Sequence, residues 1–343
     1  MKFTNVVIES YGHHLSPRSV TSNEIETRLG SLYEKLKLPE GRLELMTGIT
    51  ARRMWDPGTK PSDLSTAAAL ECLKKSKIKT SDIDLLIHAS VCRDFLEPAT
   101  ASVVHANLGL SRSAMIFDLS NACLGVINAI VTAGMMIESG QIKTALIVSG
   151  ENGGPLLENT VDELLNNPSI DRKNIKKYIA NLTIGSAATA MIITHKDLSP
   201  NSPQVLGGAV ETDSSANHLC RGDGNTHSLV METDSEELLK YGIALGQSTW
   251  QKARAELGWE NKDVDFVLTH QVGSAHEKLS LESLELTTIK THRTYPFLGN
   301  TGSSALPITL MMAADLGLIN KGDNVALLGI GSGLSSIMLG VKW

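Results

Sequence analysis

The sequence has only four cysteines, Cys72, Cys92, Cys123 and Cys220, and no two of them form a Cys-x-x-Cys pair. That scatter argues against a disulfide framework and against a structural zinc site. Neither His13-His14 nor the His270/His276 pair has a third donor at ligand spacing, so no metal is expected. Basic charge is not in excess: 31 Lys and Arg stand against 37 Asp and Glu, a formal net charge of -6. Nothing electrostatic therefore favours nucleic acid as a partner. Aromatic residues make up 4% of the chain, which leaves aliphatic side chains to wall any internal cavity. The most apolar window, residues 122–137, is too short for a membrane span and contains Asn128 and Thr132. It reads as a helix buried on all sides. The first ten residues lack the apolar core of a signal peptide, because Glu9 and polar residues interrupt it. A cytoplasmic protein without an integral membrane segment is expected.

What the chain does contain is an internal repeat. The run from Ser81 to His88 (SDIDLLIH) resembles the run from Lys262 to Thr269 (KDVDFVLT), and Thr144–Val148 resembles Val325–Gly329. Both matches share one offset of 181 residues, from 82 to 263 and from 145 to 326. Between them, each copy carries a small-residue turn followed by an apolar helix, Ser120 to Ile137 and Gly302 to Leu318. A third match, Ile184-Gly-Ser with Ile330-Gly-Ser, has an offset of 146, so the first copy carries an insertion of about 35 residues near 151–182. The halves are then 1–196 and 197–343.

Pattern in the first half predicts strands near 3–9, 84–88, 114–118, 143–149 and 187–194, and helices near 64–76, 98–108 and 121–138. Such alternation implies an α/β fold with a mostly parallel sheet covered by helices. Two duplicated halves pack with pseudo-twofold symmetry, and a site at their junction draws equivalent turns from both. Symmetry thus brings together Cys123, before the first apolar helix; His270, after the strand at 265–269; and Asn300, before the second apolar helix.

Those three side chains suit acyl chemistry. A thiol at a helix N-terminus is expected to have a lowered pKa, because unpaired backbone N–H groups favour the thiolate. A nearby imidazole can take its proton. His270 and the Asn300 amide can both donate hydrogen bonds to a developing enolate or oxyanion. Gly329-Ile-Gly331-Ser-Gly333 follows the strand at 324–328 but is not a dinucleotide fingerprint: Leu334 replaces the third glycine, and too little chain remains for a following helix and strand. The glycines instead let backbone N–H groups approach a reacting carbonyl.

Three stretches, Ser120-Asn-Ala-Cys123-Leu-Gly, Thr269-His270-Gln and Gly299-Asn300-Thr-Gly-Ser, together resemble the thiolase superfamily along essentially the whole chain. Within it, the chain is most similar to the ketoacyl synthase III-like condensing enzymes. The resemblance implies the thiolase fold, a five-layered αβαβα arrangement of two duplicated halves, and a homodimer. It implies Cys123 as the acyl-accepting nucleophile and His270 with Asn300 as an oxyanion hole. The backbone of Cys123 and of the Gly331–Gly333 loop would form a second hole, with Ser332 ordering that loop. No cofactor is implied beyond the coenzyme A of thioester substrates.

One position narrows the resemblance. Glu97 precedes Pro98 in Val91-Cys-Arg-Asp-Phe-Leu-Glu-Pro, where fatty-acid-initiating synthases usually carry an apolar residue. A carboxylate there resembles the OleA-type enzymes, which join two long-chain acyl-CoAs head to head at the start of olefin biosynthesis. In that family the glutamate reaches the partner's site across the dimer. A decarboxylative condensation makes its carbanion by losing carbon dioxide. A non-decarboxylative Claisen condensation must remove an α-proton, and so needs a base. The resemblance therefore implies that long-chain acyl-CoA is the substrate, a β-keto acid the product and other olefin-pathway enzymes the downstream partners. The alternative is a decarboxylative β-ketoacyl-carrier-protein synthase III using a malonyl donor. Pro98 is expected in the first turn of the helix at 98–108. The insertion is expected to cover the site and wall an acyl channel. Its basic residues Arg172, Lys173, Lys176 and Lys177 are expected to form a solvated face.

Overall fold

The computed structural model describes residues 1–223 and 229–343. In the first half, strands run over Val6–His14 (β1), Leu85–Ala89 (β2), Met115–Leu119 (β3), Thr144–Glu151 (β4) and Ala187–His195 (β5). In the second they run over Gln204–Thr212 (β6), Phe266–Thr269 (β7), Lys290–Thr291 (β8), Asn324–Gly331 (β9) and Ser335–Lys342 (β10). Their spatial order is β8-β7-β9-β10-β6-β1-β5-β4-β2-β3, which reads the same from either edge once each strand is replaced by its repeat equivalent. The Val7–Gln204 register pair connects β1 to β6, and a Lys2–Gly207 bridge continues the contact ahead of β1. The duplication expected from the 181-residue offset is thus present as architecture.

Six helices complete it: Pro61–Lys75 (α1), Thr100–Leu108 (α2), Gly125–Glu138 (α3), Ser235–Leu257 (α4), Ser274–Ser283 (α5) and Ala305–Asp315 (α6). Strand alternation decides which helices each face meets. In β2, Leu85, Ile87 and Ala89 pack with α3 and α6 in the centre, while Leu86 packs outward against α1 and α2. In the equivalent β7, Phe266 and Leu268 face the centre and Val267 the outer layer. The layers are therefore helices, sheet, α3 with α6, sheet, helices. The central pair is apolar nearly all round because it is covered on both sides. Val126, Ile127, Ile130 and Ile137 of α3 and Leu306, Leu310 and Met311 of α6 share one cluster. Each fully buried aliphatic side chain contributes roughly 1.5–3 kcal/mol.

The insertion forms a helix at Gly154–Asn166, a 3-10 turn at Asn174–Tyr178 and a short helix at Ile179–Leu182. Residues 169–179 are a capped turn followed by 3-10 structure: Asp171 accepts the Lys173 and Asn174 N–H groups and arrests a regular helix start. Three short helices, Ser22–Arg28, Gly30–Leu36 and Arg42–Thr47, hold the insertion in place. Leu157, Val161, Leu164 and Tyr178 pack against Ile25, Leu29, Leu32 and Leu43 there. Arg172 donates to the Leu36 and Lys37 carbonyls, and Lys176 and Lys177 pair with Glu236 and Glu232. All four basic residues remain exposed, so the expected solvated face is present, and three of them also bond neighbouring segments.

The end of the insertion meets the turn that carries Asn300. Asn300 N–H donates to the Thr183 carbonyl at 2.9 Å, and Gly185 N–H donates to the Asn300 carbonyl at 2.8 Å. A Cβ on Gly185 would stand 1.8 Å from the Leu298 carbonyl oxygen, so the chains approach this closely only with glycine there. Gly185→Ala is expected to lower unfolding free energy by about 1–3 kcal/mol or more, measured by urea denaturation, because backbone rather than a flexible side chain must move.

Candidate active site

The parallel strands β2 and β7 end at the junction between the halves, where α/β sheets commonly place their sites. The α3 helix starts at Gly125 rather than 121, because residues 121–124 form a tight turn that projects Cys123. Ala122 has φ +45°, a left-handed conformation unusual for a residue with a Cβ, costing on the order of 1–3 kcal/mol. Hydrogen bonds hold the turn: Leu124 N–H to the Asn121 carbonyl and Asn121 Nδ2 to Asn128 Oδ1, both 2.9 Å.

Strand β9 continues past the expected 324–328 to Gly331, and its glycines are there for closeness. A Cβ on Gly329 would stand 2.7 Å from Leu124 Cδ2, and one on Gly331 would stand 3.0 Å from Leu124 Cγ. Backbone can therefore run directly beneath the turn that carries Cys123. That contact is steric, with no nucleotide required to explain the glycines.

A cavity of about 1740 Å³ opens at this point, lined by Cys123, His270, Asn300, Gly331 and Ser332. Single drug-sized ligands usually occupy roughly 300–1,000 Å³. Sequence symmetry brought the first three of these residues together, and they share this one cavity. Gly333 does not line it, and neither does Glu97. Glu97 is exposed, in an exposed loop with Phe95 and Leu96, outside its own chain's cavity. Pro98 lies before the helix, which starts at Thr100. Asp118 of β3 accepts the Thr100 and Ala101 N–H groups, both at 2.8 Å, and so fixes that start. Asn152, Gly153, Leu156, Lys173, Asn174, Lys176, Lys177, Ile179 and Ala180, all from the insertion, do line the cavity, as expected of a wall.

His270 N–H donates to the Leu328 carbonyl, tying the histidine to β9. The neighbouring Gln271 is locked, accepting the Thr294 and Tyr295 N–H groups and donating to the Thr269 carbonyl. Both ring nitrogens of His270 are buried without a hydrogen-bond partner among the described residues, so they are left for whatever enters the cavity. Asn300 Oδ1 accepts the Gly302 N–H at 3.1 Å, which turns the Nδ2 donors away from that turn.

The electrostatics depart from the expectation of a lowered thiol pKa. Cys123 stands two residues before the helix, half-buried in the cavity wall. Burial first, then the negative charge of Glu151 and the neighbouring Cys220, push its thiol up to about 12. At pH 7 the thiol form therefore dominates. Burial, helped by His276, drops His270 to about 4, so the imidazole is neutral at rest and is a weaker base than a free histidine. At rest the cavity wall presents a thiol and a neutral imidazole. Burial outweighs the helix end.

Glu151, at the end of β4, is the cavity residue that sequence reasoning missed. It is buried, and its carboxylate accepts N–H groups from Val91, Cys92 and Ser303 and the hydroxyl of Ser303. The available signal was a lone carboxylate closing the otherwise small and apolar strand Thr144-Ala-Leu-Ile-Val-Ser-Gly. Cys92 and Cys220 also line the cavity.

Comparison with known proteins matches this geometry. Residues 45–195 match the thiolase N-terminal domain, and residues 255–343 match the C-terminal part of 3-oxoacyl-[acyl-carrier-protein] synthase III. A duplicated fold closing on such a cavity is that of an acyl-transferring condensing enzyme of thiolase type. The acyl-CoA:acyl-CoA alkyltransferases of Shewanella oneidensis and Xanthomonas campestris are each 39% identical to the chain, over 100% of both sequences. Crystal structures of Xanthomonas campestris OleA superpose with a TM-score of 0.95 at 38% identity, covering 100% of this chain and 98% of that one. The chain belongs to the OleA-type family of the thiolase superfamily. The solved variants of that OleA include substitutions of a cysteine, a glutamate and a histidine. Its substituted glutamate and cysteine stand as many positions apart as Glu97 and Cys123 do here. One serine-for-cysteine variant holds lauric acid and lauroyl-CoA.

A neutral resting pair has a direct consequence. Alkylation of Cys123 by iodoacetamide is expected to be slow at pH 7 and to rise steadily with pH through 10 without a plateau, read by mass spectrometry of the labelled peptide. A plateau near pH 8 would show a thiolate that the burial forbids.

Proposed function

We propose that the protein joins two long-chain fatty acyl-CoAs head to head in a non-decarboxylative Claisen condensation. The observation that carries this reading is one large cavity whose wall holds the Cys123 thiol, a neutral His270 imidazole and the Asn300 amide. The family membership and the Glu97–Cys123 spacing support it further.

In the proposed cycle, Cys123 passes its proton to His270 as its sulfur attacks the thioester carbonyl of the first acyl-CoA. The oxyanion is met by backbone N–H groups of Cys123 and the Gly331–Gly333 loop, with Ser332 ordering the loop. Coenzyme A leaves as thiolate, takes up a proton, and an acyl-cysteine remains. Glu97, contributed by the partner of a homodimer, removes an α-proton from the second acyl-CoA. Its exposure beside Phe95 and Leu96, outside its own cavity, supports delivery to another subunit. His270 and Asn300 hold the enolate oxygen. The enolate carbon attacks the acyl-cysteine, the carbon–sulfur bond breaks, and the thiolate is re-protonated. Water then cleaves the β-ketoacyl-CoA to a β-keto acid. No step calls for a bound metal or redox cofactor. Two acyl chains are accommodated by a cavity larger than one drug-sized ligand requires.

The match to a ketoacyl synthase III C-terminal model keeps a decarboxylative reaction with a malonyl donor as the competing reading. The two separate cleanly. Incubation with myristoyl-CoA alone is expected to give a long-chain β-keto acid, or the ketone it decays to, by mass spectrometry. Glu97→Ala is expected to lower that product at least ~100-fold, within the range for loss of a general base, while acylation of Cys123 persists. Product that appears only with a malonyl donor, and equally in the variant, would support the decarboxylative reaction.

A further inference from the structure

Glu151 has no part in the cycle above, yet it is a buried carboxylate in the same cavity wall as Cys123. Its contacts divide by atom. Oε1 accepts the Val91 N–H at 2.9 Å, the Ser303 N–H at 3.0 Å and the Ser303 hydroxyl at 2.6 Å. Oε2 accepts the Cys92 N–H at 3.3 Å. Residues 91 and 92 begin the loop that carries Glu97. Ser303 closes the turn that carries Asn300 and starts α6. The carboxylate therefore joins two segments that come from different halves of the chain, one leading to Glu97, which serves the partner's site, and one to Asn300, which serves this one.

The surroundings are built around it. Gly302 has φ +58°, and a Cβ there would stand 3.0 Å from the Glu151 carboxyl carbon, so the turn is free to press against the carboxylate. Ser303 Oγ also bonds the Ala89 carbonyl at 2.8 Å and meets Ser149 Oγ at 2.9 Å; Ser149 in turn accepts from Ser304 at 3.0 Å. A chain of hydroxyls thus extends from the carboxylate into the interface between the halves. Its charge also acts on the nucleophile, holding Cys123 in the thiol form.

We propose that Glu151 is a positioning residue for the condensation step, anchoring both the start of the loop that delivers Glu97 to the partner's site and the turn that carries Asn300 in its own site. This rests on the functional reading above for the identity of that step. Glu151→Gln leaves an oxygen for Ser303 and Val91 but sets an N–H against the Cys92 N–H. Only the loop side of the clamp is then broken. Glu151→Asp keeps the charge but is shorter by one methylene.

The test uses the full chain with myristoyl-CoA and three readouts: acylation of Cys123, condensation product, and the pH profile of Cys123 alkylation. For Glu151→Gln, acylation is expected within about threefold of wild type while condensation falls ~10-fold or more, as loss of a charged hydrogen bond implies. Its alkylation profile is expected to move to lower pH, because a negative charge beside the thiol is gone. Glu151→Asp is expected to restore the wild-type profile but not the condensation rate. Equal losses of acylation and condensation, unchanged condensation, or an unmoved profile in Glu151→Gln would each overturn the proposal. If wild type acylates but forms no condensation product, the functional reading fails. Hydrogen exchange then decides Glu151 alone: faster exchange at the Val91–Cys92 amides in Glu151→Gln supports the clamp, and unchanged exchange refutes it.

Discussion

Desolvation at the junction of the two halves is the constraint on which the site depends. The sheets are held apart by α3 and α6, whose apolar surfaces are covered on both sides, and Cys123 stands at the entrance to that layer. An isolated thiol at a helix end would gain thiolate character from the dipole. Here the same helix end lies in the cavity wall with a carboxylate near, and burial wins: the thiol is pushed up to about 12 and His270 down to about 4. A pocket that keeps both groups neutral avoids an unpaired buried charge. It also reserves both histidine nitrogens for the reaction, because no protein group occupies them among the described residues.

The second theme is close backbone approach. Gly329 and Gly331 let β9 pass under Leu124, Gly185 lets the insertion lie on Leu298, and Gly302 admits Glu151. Each approach joins a segment of one half to a segment of the other. The resulting cavity owes its shape to contacts between halves, so a volume change at any of these glycines is felt at the reacting atoms.

Much of this was legible in the sequence, and the reasons are specific. The repeat was readable because β2 and β7, and β4 and β9, are fully covered strands with near-continuous apolar runs at one fixed spacing. That spacing brought Cys123, His270 and Asn300 to one place before any side chain was seen. The helices over 22–47 were not readable, since six or seven residues show too little of a 3.6-residue period. The start of α3 was placed too early because Ala122 adopts a glycine-like φ that its identity does not announce. The thiol's protonation was misjudged because the sequence shows the helix end but not the depth of burial. Glu151 was passed over because its partners, Val91, Cys92 and Ser303, are mostly backbone groups distant along the chain.

The central claim is that Cys123, neutral at rest, becomes acylated by transferring its proton to His270. Rapid quench of the enzyme with one equivalent of myristoyl-CoA, followed by digestion and mass spectrometry, tests it most directly. The account predicts release of about one coenzyme A per site, with the myristoyl mass on the peptide containing Cys123. It also predicts that this burst slows sharply in His270→Ala. A myristoyl group found on Cys92 or Cys220 instead, or a burst indifferent to His270, would contradict it.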